Sequence, residues 1–397
     1  VTSLSDVVAV SAVRSPMGKF GGTMRDLPVI ELGGQVIASA CKRIGFDAAE
    51  IDSVILGNCR QAGNGTNPAR IAAQLGGVHM GTFAQTINCA CPSGLKTIIV
   101  ASEELRLGDS SFVLAGGMES MSTIPYLLTG HRWNGFRLGD VRLMDGWNDT
   151  IDKIANVNMG QTAENVAEKY GITREDQDEF AAGSHQKASR AQKTGVFKNE
   201  IVPIRIPAAK TASEIIFEED ESIRHDASLE KLGKLAPVFK KGGTVTAGNA
   251  CGMTDGASAI ILTTREKAGA MGLKPLFSLV GYGNAAVDNA YMGIGPTASI
   301  SKAQAMAGMS KEDIDFIEIN EAFAAASLVC ERILGLDHQK VNVNGGAIAL
   351  GHPTGCSGAR LVVSLYNILK TRDAEYGIAS LCGGGGVSCA LIIKREL

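Results

Sequence analysis

The chain has 397 residues, long enough for two or three domains around a large core. Hydrophobic residues make up 45% and charged ones 20%, an ordinary globular balance, and 38 basic against 41 acidic side chains leave a formal net charge of -3, which excludes recruitment of nucleic acid by a global field. Nine cysteines, an odd number with no C-x-x-C spacing, argue against a disulfide framework and against a metal site, and point to a reducing compartment.

In chain order, the first ten residues lack a basic stretch leading into an apolar one and run directly into a strand, and no apolar run approaches the ~18 residues of a membrane span. A cytoplasmic protein without membrane contact is expected. Short β-branched runs at 7–13, 53–56 and 111–114 read as strands, with helices at 30–44, 68–75 and 94–107. A second set repeats the order: strands at 276–280, 316–319 and 378–381, helices at 300–307, 322–334 and 355–369. Such alternation predicts an α/β sheet in each half.

The halves look like copies. Cys91-Pro92-Ser93-Gly94 returns as His352-Pro353-Thr354-Gly355, 261 positions later; Ile51 before one strand matches Ile314 before another at 263, and Phe112 matches Ile378 at 266. Three offsets within five residues, in one order, indicate tandem duplication. The boundaries read as a first half over 1–121, an inserted segment over 122–250, a return to the first half over 251–272, and a second half over 273–397. The insert holds aromatic residues Tyr126, Trp133, Phe136 and Trp147, then a charged helical region at 162–194 with a cap at Thr173. An acidic run at 218–221 follows, with Arg224 and His225 after it. It suits a lid or ligand-binding loop domain.

Proline at the first helical position makes Cys91 and His352 read as helix caps, each at the positive end of a helix dipole. That field favours a Cys91 thiolate and keeps His352 neutral, so the pair reads as a nucleophile and its base. Cys382 ends an apolar strand and opens four consecutive glycines, 383–386, whose N–H groups suit an oxyanion. Asn320, at the carboxyl end of a strand, is either a plain helix cap or a polar ligand for water or a carbonyl.

Taken together, Cys91-Pro92-Ser93-Gly94-Leu95-Lys96, Gly116-Gly117-Met118-Glu119-Ser120, Asn320-Glu321-Ala322-Phe323, the segment from Gly345 to Pro353 and Cys382-Gly383-Gly384-Gly385 resemble the thiolase family, over essentially the whole chain and in family order. The branches it is similar to are the acetyl-CoA acetyltransferases and their 3-ketoacyl-CoA thiolase relatives. The resemblance implies a thiolase fold, two duplicated α/β halves in a five-layer αβαβα sandwich with an inserted loop domain. It implies that Cys91 takes an acyl group from a CoA thioester, with His352 as base and Cys382 as the acid/base at the second acetyl-CoA. The N–H groups of Cys91 and Gly384 would hold one oxyanion, and His352 with a water on Asn320 the other. Arg224 matches the residue that stacks on the adenine of CoA; Met159, Phe239, Met292 and Phe323 match the lining of the pantetheine and acyl channel. Substrates would be acetyl-CoA, acetoacetyl-CoA or another 3-ketoacyl-CoA, and CoA, with no separate cofactor, and the assembly a homotetramer built as a dimer of dimers.

Three positions depart from the family pattern. Pro92 replaces a glycine after the nucleophile; Asn158 stands where acetoacetyl-CoA-specific members carry His; Cys251 replaces a serine that bonds the pantetheine, which predicts weaker CoA binding. Residues 132–157 do not align cleanly with the family. Beside formation or cleavage of acetoacetyl-CoA stand two alternatives: a broader-chain 3-ketoacyl-CoA thiolase of fatty-acid degradation, and a thiolase-fold protein that binds CoA without catalysis.

Overall fold

The computed structural model describes residues 2–133, 135–147, 151–207 and 213–396; Asn134 and residues 148–150, inside the unaligned stretch, lie outside them. The chain is organised by one strand buried on both faces. In Val7–Arg14, Val8, Val10 and Val13 enter one core cluster and Val7, Ala9 and Ala12 another, with a bulge between Ala9 and Ser11 resetting the two-residue alternation. It lies at the middle of a sheet ordered Phe316–Ile319, Tyr376–Cys382, Val387–Arg395, Phe277–Ala286, Val7–Arg14, Thr254–Thr264, Phe112–Ser120, Ser53–Gly57, Phe83–Ile87. The order is palindromic about the join between Phe277–Ala286 and Val7–Arg14, which pair only through Val8 with Ser278 and Ala9 with Phe277. The parallel pair Ser53–Gly57 with Phe112–Ser120 is mirrored by Phe316–Ile319 with Tyr376–Cys382. The last strand, Phe83–Ile87, has as its counterpart only an isolated parallel bridge between Ile317 and Val341.

Five layers result. Helices Val29–Arg43 and Pro68–Leu75 cover the first half through Leu32, Val36, Ile37, Ala69 and Ala72. Gly295–Ala307 and Ala324–Leu334 cover the second through Ile300, Ala303 and Cys330. Between the sheets run Ser93–Leu107 and Thr354–Thr371, meeting strands of both halves through Leu95, Ile98, Leu361, Val363, Leu381 and Leu391. Residues 354–369 are all buried, as a central-layer helix requires.

Sequence and structure differ in three places. Thr254–Thr264, Val387–Arg395 and Phe83–Ile87 are strands that pattern alone missed; the first, nearly all buried, shows no polar alternation. The charged region at 162–194 is two helices, Met159–Tyr170 and Arg174–Lys193, broken at Gly171 with φ +64 and restarted by a capping box between Thr173 and Asp176. The predicted helix at 322–334 begins at Ala324, because Phe323 is extended.

The two central helices approach closely enough that their first turns touch. A Cβ added at Gly117, Gly57 or Gly94 would lie 2.0, 2.6 or 2.8 Å from the Gly355 carbonyl oxygen. Gly117→Ala is therefore expected to cost about 3 kcal/mol by forcing backbone apart at a site with no room to yield. A fall in the urea midpoint checks this.

Candidate active site

The nucleophile sits on a strained elbow. Ala90 holds φ +57, a left-handed conformation rare outside glycine. Ser93 braces it: its hydroxyl donates to the Ala90 carbonyl at 2.5 Å and accepts the Cys89 N–H at 2.9 Å, and its own N–H bonds Ala90 O at 3.0 Å. Pro92 has helical angles (φ -67, ψ -7), Pro353 extended ones (ψ 102), and the helices begin at Ser93 and Thr354. The prolines are thus the caps, and Cys91 and His352 stand one residue earlier than the sequence suggested.

The glycine loop after Cys382 lies directly on Pro92, where a Cβ at Gly383 would meet the ring at 2.4 Å. This brings the Gly384 N–H near the Cys91 sulfur, where it and the N–H of Cys91 itself favour the anionic form. The thiol is nonetheless pushed up to about 12: burial dominates, Cys382 adds to it, and the two N–H groups and the Arg60 guanidinium pull the other way without winning. The expected thiolate is therefore corrected to a resting thiol, because a dipole worth up to roughly 1 kcal/mol at an exposed terminus does not offset desolvation of a buried anion.

His352 is the complement. Its backbone N–H is held by Gly252 O at 3.2 Å and Thr254 Oγ1 at 3.1 Å. The Ser357 hydroxyl donates to Pro353 O at 3.0 Å, so it accepts from His352 Nδ1–H at 2.6 Å. That leaves the Nε2 lone pair outward, toward the Asn320 amide nitrogen at 3.4 Å. Burial, with the Arg360 charge behind it, lowers the imidazole to about 3, so it is neutral as expected, from desolvation more than from a dipole. Asn320 is buried, and its Oδ1 has no bond among the described residues.

Cys382 is likewise pushed up to about 12 by burial. It joins Met292, Phe323, Ala322, Ala326 and Ala163 in one apolar cluster, with Met159 and Phe239 packed on it. The Phe239 and Phe323 rings meet edge to face at 6.2 Å. Cys251 follows the Ala250 bridge to Phe323, bonds Ala322 O through its N–H at 3.0 Å, and is raised to about 12 by burial and then by Cys91. Asn158 spends its side chain as a helix cap, accepting the Gln161 N–H at 2.9 Å while Gln161 Oε1 accepts the Asn158 N–H at 2.8 Å. Arg224 lies apart from the cluster, its side chain exposed and its N–H anchored on His185 Nδ1 at 3.1 Å.

Sequence reasoning gave no role to Glu119 or Ser357. Glu119 is fully buried and joins the halves: Oε2 accepts from Thr354 Oγ1 at 2.7 Å, Gly355 N–H at 2.8 Å and Cys59 N–H at 3.0 Å, and Oε1 from Asn58 Nδ2 at 2.8 Å and Arg60 N–H at 3.0 Å. Cys59 in turn reaches Ala90 O at 3.1 Å, so one carboxylate links the His-bearing helix to the Cys-bearing elbow. A lone acid closing an otherwise small and apolar strand was the available signal.

Two neutral buried histidines carry a stability consequence. His352 is lowered to about 3 and His185 to about 4, both mainly by burial. The unfolded chain binds their protons first, so stability is complete above about pH 6.5 and falls as pH drops toward those values, by up to about 1.4 kcal/mol per unit for each. Urea unfolding between pH 7 and pH 5 measures the slope, and His185→Asn should flatten it.

Comparison with known proteins agrees with this geometry. The family model for the thiolase N-terminal domain matches residues 7–266 and that for the thiolase C-terminal domain residues 273–395. The chain is 47% identical over 397 residues to the acetyl-CoA acetyltransferase of Cupriavidus necator, covering 99% of this chain and 100% of that one. The crystal structure of the Bacillus anthracis acetyl-CoA acetyltransferase superposes with a TM-score of 0.96 at 47% identity, covering 99% of each chain. Human mitochondrial 3-ketoacyl-CoA thiolase gives 0.96 at 40% identity over 100% of both. The chain belongs to the thiolase family.

Proposed function

We propose that the protein is an acyltransferase that condenses two acetyl-CoA into acetoacetyl-CoA and CoA, or runs the thiolysis in reverse. The observation that carries this is the meeting of the Cys91 elbow with the glycine loop after Cys382, which brings the Gly384 N–H near the Cys91 sulfur, together with a neutral imidazole whose unprotonated Nε2 is turned to the Asn320 amide. Cys91 attacks the thioester as His352 Nε2 takes its proton, and the tetrahedral oxyanion rests between the two N–H groups. CoA leaves with the Cys382 proton, giving acetyl-Cys91 and a Cys382 thiolate. That thiolate removes the α-proton of a second acetyl-CoA, whose enolate oxygen faces the His352 imidazolium and a water held by Asn320. The carbanion attacks acetyl-Cys91; Cys91 leaves and recovers its proton from His352, so every proton is returned.

Support for the acyl channel comes from the packing of Met159, Phe239, Met292 and Phe323 around Cys382. Support for a cytoplasmic location comes from nine free cysteines; among the described residues no helix is long and apolar enough to cross a membrane. Support for the homotetramer that the resemblance implies comes from Tyr126, Trp133, Phe136, Leu143 and Ile154, apolar side chains exposed along the inserted segment.

Thiolysis rates for acetoacetyl-CoA and a longer 3-ketoacyl-CoA test the reading: a clear preference for acetoacetyl-CoA is expected, and equal or better turnover of the longer substrate contradicts it. Asn320→Ala should lower kcat roughly 10²- to 10³-fold, as loss of one oxyanion contact does, with the urea midpoint little changed.

A further inference from the structure

The acidic run at 218–221 has the sequence pattern of a solvated face, yet its last two members point inward. Asp220 is 5% exposed and receives Arg14 as a two-point fork, Nη1 to Oδ1 at 2.7 Å and Nη2 to Oδ2 at 2.9 Å, while Oδ1 also accepts the Met17 N–H at 2.8 Å. Arg14, fully buried in the first strand, is closed on its other side by Glu200 at 2.7 Å and lies over the Phe197 ring at 5.2 Å. Glu221 takes the turn after that strand: Lys19 N–H at 2.9 Å, Thr23 N–H at 3.2 Å and the Thr23 hydroxyl at 2.6 Å. The fit admits no side chain at Gly22, where a Cβ would lie 2.3 Å from Glu221 Oε2.

The next residues are fixed from the other side. Ile223 packs in a cluster with Ala188, Ala349 and Leu350, two residues before His352. The Arg224 N–H bonds His185 Nδ1 at 3.1 Å, and His225 Nδ1 meets Ser189 Oγ at 2.9 Å. The backbone is therefore held from both ends while the side chains of Arg224 and His225 stay exposed. The segment is thus anchored by a buried three-group charge cluster of Arg14, Glu200 and Asp220, with Glu221 holding the neighbouring turn. A segment that presents a planar cation to a ligand gains affinity when its ordering cost is met in the fold and not at binding.

We propose that Asp220 and Glu221 are positioning residues for the nucleotide end of coenzyme A, clamping the segment that presents Arg224 onto the first strand and the turn that follows it. This rests on the reading of Arg224 as a contact to the adenine nucleotide. The two residues touch no reacting atom; they act by fixing where Arg224 stands.

Asp220→Ala strands the buried Arg14 charge and risks unfolding, so the test uses Glu221→Gln and Thr23→Val, at the half-buried end of the clamp. Steady-state condensation is measured with acetyl-CoA and with S-acetylpantetheine, which lacks the nucleotide. Glu221→Gln is expected to raise KM for acetyl-CoA about tenfold with kcat within about twofold, a loss of uniform binding, and to leave S-acetylpantetheine kinetics unaltered. Thr23→Val should move KM the same way by less. In an Arg224→Ala background, Glu221→Gln should add nothing. Equal losses on both thioesters, or additive effects of Glu221→Gln and Arg224→Ala, overturn the proposal. If Arg224→Ala raises the acetyl-CoA KM and Glu221→Gln does not, the clamp is refuted and the nucleotide reading stands; if Arg224→Ala has no effect, that reading fails and the proposal with it.

Discussion

Replacing Cys91 with Ala should leave a folded chain whose condensation rate falls by at least roughly 10⁴-fold, the scale at which loss of a covalent nucleophile registers. Cys91 as a residue keeps part of its surface open although its sulfur is desolvated, and the elbow is braced by Ser93 and Pro92, so the fold should tolerate loss of the thiol. Everything else at the site is arranged around that sulfur: the Gly384 and Cys91 N–H groups, the Cys382 thiol behind it, and the turn locked by Ala90. Cys91→Ser should be nearly as inactive, because a hydroxyl is a far weaker nucleophile for the same neutral base. Initial rates paired with an unchanged urea midpoint separate chemistry from folding.

His352→Ala should lower kcat by roughly 10²- to 10⁴-fold, the range for a general base. The pH dependence is the sharper signature. Because burial holds the imidazole at about 3 and the thiol at about 12, both partners are neutral through the physiological range. Activity requires neutral His352, so it should be lost only as pH falls toward 3, with kcat flat through 6.5 where an ordinary histidine titrates. An inflection near 6.5 would place the working base elsewhere or show the site open to water.

Much of the fold is legible in the chain itself. The duplicated order of strands and helices is written in the offsets between Cys91 and His352, Ile51 and Ile314, and Phe112 and Ile378, and the sheet reproduces it as a palindrome. The Met159, Phe239, Met292 and Phe323 side chains named by family resemblance do pack with Cys382. What escaped was burial. The helix dipole argued for a Cys91 thiolate, but the balance is set by desolvation, a property of packing between segments more than 250 positions apart. Thr254–Thr264, fully enclosed between two strands, carries no alternating pattern. Asn158 read only as a departure from the family at a substrate-facing position, and the capping role of its Oδ1 at a helix start went unseen. Glu119 is a single letter in a strand, and only the meeting of the two halves gives it five hydrogen-bond donors.

The role of Cys91 as the acyl acceptor is tested most directly by intact-mass analysis after brief mixing with acetyl-CoA. The wild-type chain should carry one acetyl group, mapped to the peptide containing Cys91, and Cys91→Ser should carry none. A wild-type chain without the adduct, or a Cys91→Ser chain that acquires it undiminished, would contradict the account.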